Sequence, residues 1–336
     1  MGDDAPLRHR GRLVASLAFS LVTVAAAILV GRRLTQASWP LDDAQPALVA
    51  AAALSYLASY LFRARGWHRL FPAGECPDQA RCLASVGAAA ASGAVLPFRL
   101  DYLIKVGVLR KLGGVRIGFE AIVLSIVSLG MIDAIAMLPL SISAAASSGS
   151  VLRGPLLIVV VFGIGCCTLL VVGGRLIRLP LLRRSGRLRT ISDHVAHHAT
   201  TRGRRDAIVA WFYLFACWST RAFGSAALLT ALGLSFSPTT ALSVICLSAA
   251  AGVIPITSGG AVAGAGATAG ILLALGVGKD VAINFSLASG LLLVGSALVA
   301  ALSGVFASLA LRAVARHNLS RSGVVLGSIS AAKARA

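Results

Sequence analysis

Hydrophobic residues occur along this chain in long blocks rather than in alternation with polar ones. Six blocks stand out: Leu13–Val30, Pro46–Phe62, Gly118–Leu140, Pro155–Gly173, Ala207–Leu234 and Val281–Leu311. A helix needs about 20 apolar residues to cross a bilayer core, and each block is near or beyond that length. A transmembrane β-barrel would instead show alternating segments of about 10 residues, and none are visible. Two further blocks are short and broken. Cys82–Leu96 stops at Pro97, and Ala241–Leu275 is interrupted by Pro255-Ile256-Thr257-Ser258-Gly259-Gly260 and a Gly/Ala run to Gly270. Pro and Gly interrupt helices, and non-helical backbone at membrane depth survives only where protein or water shields it. The pattern therefore predicts an all-α, polytopic integral membrane protein with about six full spans plus two broken or re-entrant helical elements.

Charge then decides how the broken blocks run. The chain carries 31 Lys and Arg against 12 Asp and Glu. If both short blocks are re-entrant and both termini are cytoplasmic, 26 of the 31 cations fall on the cytoplasmic side and four outside, with Arg221 inside a span. That asymmetry obeys the positive-inside rule; a full crossing at Cys82–Leu96 would push a basic loop outside. The expected organisation is a basic cytoplasmic N-terminus (1–12), one transmembrane domain (13–311) with a basic loop (175–206), and a flexible cytoplasmic tail (312–336). The first block is too long for a signal-peptide core and no A-x-A site follows it, so it reads as a retained helix.

Composition agrees. At 57% hydrophobic and 13% charged, the chain departs from the soluble average of about 45–50% and about 25%. The net charge of +19 sits between apolar spans without interleaved aromatics, which suits anionic lipid and excludes a nucleic-acid platform. The six cysteines form no metal-spaced pair, and four lie in apolar spans as small hydrophobes. His194, His197 and His198 lack a carboxylate or Cys cluster, and their loop reads as a basic amphipathic helix on anionic lipid. No P-loop, GxSxG or metal cluster is present. No cofactor, no metal and no catalytic residue is expected, and the missing P-loop argues against direct ATP-driven transport.

Three groups of residues could carry chemistry. Where the first broken block meets the next element, Arg99 and Lys105 could hold a phosphate, one as a fork and one as a point charge. Asp101 could pair with either or receive a cationic headgroup. The alternative is an ordinary topology-setting basic loop. Within the spans, Asp133 and Arg221 are ionisable groups of the kind that face a protein interior. Their pairing would line a polar path or fix helix register. In the second broken block, Thr257, Ser258, Gly259 and Gly260 offer hydroxyls and free backbone N–H groups that suit a polar headgroup; the alternative is a packing kink. Paired interrupted segments are the best sequence pointer to a transport site.

These residues resemble a known family. Pro97-x-Arg99-x-Asp101, with Lys105 and Leu109-Arg110, is similar to the Pro-x-Arg-Gly-Glu-x-x-Arg region of the lysylphosphatidylglycerol synthase transmembrane family. Asp133 falls where that family's Glu-Arg-x-x-Asp motif ends. Pro255–Gly260, followed by Leu275-Gly276-Val277, resembles its Pro-x-Thr-Pro-Gly-Gly segment and the Leu-Gly-Val beyond it. The likeness runs in order across roughly Leu13–Leu311, with Leu100, Asp101, Lys105 and Ser258 standing where the family has Gly, Glu, Arg and Pro. It implies a flippase-like domain of a bacterial inner membrane, moving an anionic or glycosylated lipid between leaflets, without the aminoacyl-transferase domain and so without enzyme activity. A non-transporting scaffold for a glycosyltransferase or other cell-envelope enzyme is the alternative; a membrane-embedded transferase fits less well, since carboxylates at the interfaces are few. An oligomer is compatible with either.

Overall fold

The computed structural model describes residues 41–333 apart from 43, 72–74, 95, 97–99, 113–116, 177–200 and 252–259; the side chains of 172–176, 201–202, 260–264 and 314–333 are likewise left aside. The described residues form nine α-helices and no strand. They are α1 (Pro46–His68), α2 (Gln79–Gly93), α3 (Asp101–Lys111), α4 (Phe119–Ser147), α5 (Ser150–Leu176), α6 (Thr201–Ala231), α7 (Pro238–Ala251), α8 (Gly260–Ala274) and α9 (Lys279–Lys333).

Four of them are long and apolar enough to cross a membrane: α1, α4, most of α5, and α9 as far as Ala313. The first block of the sequence, Leu13–Val30, and the basic loop with its three histidines lie outside the described residues. Helix α6 has the length, but Trp, Tyr, Ser, Thr and Arg dilute its apolar character, and it falls short of the other four on composition. It is nonetheless the principal partner of α1. The two run antiparallel: Gly224 abuts Ala52, Ser55 and Tyr56 near one end, and Gly66 abuts Ala210 and Leu214 near the other. Helix α4 is the most buried span. Helix α5 lies at the periphery, with 11% of its apolar window covered against 44% for α4. The two approach closely at Gly163, where a Cβ would come within 2.6 Å of the Leu138 side chain.

The broken blocks form two short helix pairs. Helices α2 and α3, of 15 and 11 residues, are about 22 and 16 Å long at 1.5 Å per residue, short of a bilayer core of about 30 Å. They fold back on each other: Ser85 donates to the Lys105 carbonyl (2.6 Å), and Gly93 faces Asp101. Helices α7 and α8, of 14 and 15 residues, also pack together, with Thr268 donating to Ser248 at 3.3 Å. The pairs open towards opposite ends of the bundle. Helix α2 leaves from the end where α1 finishes. Helix α7 starts at the far end, where Ser243 hydrogen-bonds Ser148 at the close of α4 (3.1 Å).

Two glycines with positive φ shape that far end. Gly233 (φ 87°) ends α6 and Gly276 (φ 78°) follows α8. Both caps use the same bonds: Leu234 N–H to the Leu229 carbonyl (3.1 Å), and Val277 N–H to the Leu272 carbonyl (3.0 Å). These are the six-residue closures of a helix terminus that left-handed glycine permits. At the other end, α2 and α9 touch backbone to backbone. A Cβ on Gly304 would lie 2.4 Å from Ala84 N, and one on Gly87 would lie 2.5 Å from Ala301 N. Helix α9 runs unbroken to Lys333, so residues 312–333, expected as a flexible tail, continue the last helix; their Ala, Ser, Leu and Arg content opposes no such extension.

Candidate functional site

Asp133 is the middle residue of α4, with fourteen helical residues on either side. A carboxylate there is buried (9% exposed) and must be satisfied by the protein. Two donors do so. The Arg63 guanidinium, from α1, reaches Oδ2 at 2.5 Å, and the Trp218 indole N–H, from α6, reaches Oδ1 at 2.6 Å. Three helices are thereby tied at one carboxylate.

The expected partner of Asp133 was Arg221. The structure corrects this: Arg63 takes the carboxylate, because antiparallel α1 and α4 bring their polar faces into register there. One turn further along α1 and about two turns back along α4, the Trp67 indole N–H donates to Ser125 (3.0 Å). Arg221 lies next to the cluster but on other contacts. Its Nε donates to Ser59 (3.0 Å), which in turn donates to the Tyr56 carbonyl (2.6 Å). Its guanidinium lies over the rings of Trp218 (5.1 Å) and Tyr60 (5.2 Å).

Lys105 completes the group from α3. It is buried (6% exposed), with its ammonium 4.2 Å from the centre of the Trp67 ring. Arg63, Asp133 and Asp101 are near enough to act on its charge. Asp101 stands one turn before Lys105, in the first turn of α3, on the same helix face. The cluster thus gathers three cations, Arg63, Lys105 and Arg221, around one fully engaged carboxylate, with Asp101 at its margin. Lys105 lies over the Trp67 ring, and Arg221 over those of Tyr60 and Trp218.

Of the residues singled out in the sequence, the structure brings together Lys105, Asp133 and Arg221, with Asp101 beside them. Arg99, Thr257, Ser258 and Gly259 lie outside the described residues. Gly260 is the first residue of α8 and makes no described contact with the cluster. Arg63, Trp67, Trp218, Tyr60 and Ser59 belong to the site and were not among those candidates. A signal for them exists: Tyr56, Ser59, Tyr60, Arg63 and Trp67 recur at helical spacing along one face of a membrane-length helix. Among the described residues, no three His, Cys, Asp or Glu side chains are placed to hold a metal.

A helical membrane protein with a charged cluster midway along its most buried span defines the class. The family follows from comparison: the Lysylphosphatidylglycerol synthase TM region matches residues 12–294, most of the chain. The chain belongs to that family. No curated protein matches it, and neither does any solved structure.

Proposed function

We propose that this chain moves a polar membrane lipid between leaflets, sheltering the headgroup among α1, α3, α4 and α6 while the acyl tails stay in the bilayer. The observation that carries this reading is the group of cations around Asp133, Lys105 buried and Arg63 and Arg221 half-buried. Buried ionisable groups in membrane helices mark substrate or ion pathways more often than they serve packing. Lys105 and Arg221, which lie against aromatic rings, would take the phosphate of an anionic or glycosylated lipid. Arg63 and Asp133 would hold the helices that shape the path. Arg99 and Asp101 would extend it towards one face, and Thr257, Ser258, Gly259 and Gly260 towards the other. No covalent step is needed for this task, so the reading treats the chain as a transporter and not an enzyme.

The finer topology belongs to the same reading: six spans, two re-entrant pairs entering from opposite faces, both termini cytoplasmic, in a bacterial inner membrane. The positive-inside distribution supports it. The test is reconstitution into vesicles with headgroup-labelled phosphatidylglycerol and a membrane-impermeant quencher. The expected result is protein-dependent loss of the protected fraction, slowed at least tenfold by Lys105→Met with Arg221→Met. Unchanged movement in that double variant would remove the site from the path. Absence of movement in the native chain, together with co-purification of a cell-envelope enzyme, would favour a scaffold.

A further inference from the structure

A second cationic site lies apart from the Asp133 cluster, where α2 packs on α9. Arg81, in the first turn of α2, is buried (6% exposed). Its Nη2 donates to Asp78 (2.9 Å), but its Nε and Nη1 are fully covered and find no acceptor among the described residues. The same holds for Nε and Nη2 of Arg312 on α9. Buried polar groups in folded proteins are almost always paired, and a charged donor left bare is the costliest exception. Four bare guanidinium nitrogens on two packed helices call for an acceptor with several oxygens.

The register brings these arginines towards one another. Gly304 packs on Ala80 and Ala84, and Gly87 on Ala297 and Ala301, so the helices run antiparallel and Arg81 stands level with about residues 303–307 of α9. Arg312 lies one and a half to two and a half turns further on, about 8–14 Å along the axis at 1.5 Å per residue. Side chains on a helix lean towards its own N-terminus. In an antiparallel pair the two arginines therefore lean towards each other. Both stand where the chain leaves its apolar run: Arg312 is next to the last residue of the α9 span, and Arg81 is three residues past Asp78, the α2 N-cap. The ends of apolar runs are where a membrane helix meets lipid headgroups.

We propose that Arg81 and Arg312 together bind a phosphate group between α2 and α9. The planar guanidinium matches phosphate oxygens in paired hydrogen bonds, and two arginines from facing helices would clamp one phosphate. Asp78 fixes the Arg81 guanidinium by its remaining nitrogen, leaving the other two aimed away from it. The chemistry admits a lipid phosphodiester or a free phosphate ion, and the two are separable.

The experiment measures the melting midpoint of the detergent-solubilised full chain with phosphatidylglycerol, phosphatidylcholine or inorganic phosphate added, alongside native mass spectrometry for retained lipid. In a Lys105→Met, Arg221→Met background, where the Asp133 cluster adds no phosphate binding, phosphatidylglycerol at about 100 times its Kd should raise the midpoint by about 5 °C and one lipid should remain bound. A rise with inorganic phosphate alone assigns the site to the free ion; a rise with phosphatidylglycerol alone assigns it to the lipid. Arg81→Met with Arg312→Met should abolish the rise and leave the ligand-free midpoint unchanged or higher, because the bare donors are gone. Arg81→Lys with Arg312→Lys, which keeps the charge, should retain part of it. No shift from any phosphate, or a shift that survives the double Met variant, overturns the assignment. Failure of lipid transport in vesicles leaves it intact.

Discussion

Separating Asp133 from Arg63 should cost the fold more than removing both. Breaking a buried pair leaves an uncompensated charge, typically about 3–5 kcal/mol. The pair is not fully enclosed by protein, since the side chains are 22% and 12% exposed, and the lower end applies. Arg63→Met leaves Asp133 with the Trp218 N–H alone and should cost about 3 kcal/mol. Asp133→Leu strands both Arg63 and the Trp218 N–H and should cost about 4 kcal/mol. The double variant strands only the indole N–H, about 1–2 kcal/mol. At about 2 °C per kcal/mol for a chain of this size, the midpoints should fall by about 6, 8 and 3 °C respectively. Arg221→Met, which loses one hydrogen bond and ring contacts, should fall by no more than about 4 °C. Melting of the detergent-solubilised protein, followed by circular dichroism, gives all four values. A double variant that falls by the sum of the singles would show that the pair is not coupled. A larger loss for Arg221→Met than for Arg63→Met would restore the Arg221 pairing that the sequence suggested.

Three further outcomes follow from the structure. Gly304→Val forces a side chain into the Ala80–Ala84 backbone and should cost at least about 3 kcal/mol, seen as a lower midpoint or loss of folded yield, whereas Gly290→Ala on the same helix meets open space and should be neutral or slightly stabilising; equal effects would refute the close approach. Burial pushes the Cys76 thiol, in the loop between α1 and α2, above its ordinary range, so in a variant keeping only that cysteine, maleimide labelling should be slow at pH 7 and climb about tenfold per pH unit to pH 9; a plateau below pH 8 would contradict it. In sealed cells an impermeant maleimide should miss Cys76 until the membrane is opened, and direct labelling would reverse the proposed orientation.

Much of this fold was legible because membrane helices announce themselves by length. The broken blocks were legible too: Pro97 and the Pro255–Gly260 run mark where α2 and α3, and α7 and α8, part company. The Leu-Gly-Val at 275–277 proves to be a helix closure, and the Leu232-Gly233-Leu234 that ends α6 is its structural twin. The partner of Asp133 was not legible from charge alone. Arg63 lies five residues from the end of α1, among arginines that read as a topology signal, and nothing in its immediate neighbourhood sets it apart from Arg65. Only the antiparallel register of α1 with α4 makes the choice, and register is a property of three dimensions. Attention to the side opposite lipid would have narrowed it: Tyr56, Ser59, Tyr60, Arg63 and Trp67 share one face of α1, and Trp218, Arg221 and Ser225 share one face of α6.

That arrangement explains how a chain with 12 acids keeps cations in its interior at all. A desolvated cation over an aromatic face gains up to about 2 kcal/mol, and Lys105 on Trp67 and Arg221 between Tyr60 and Trp218 each use one. A carboxylate in the same places would bind more strongly but would also cancel the charge. Rings hold a cation without cancelling its charge, and on the proposed reading that keeps the cluster attractive to an anion. An anionic headgroup would be attracted by that charge and a cationic one repelled. Replacing Trp67 with Glu should therefore keep Lys105 in place while weakening the attraction of a phosphate to the cluster. If the vesicle assay showed Trp67→Glu moving phosphatidylglycerol as fast as the native chain, the surplus charge would have no part in transport.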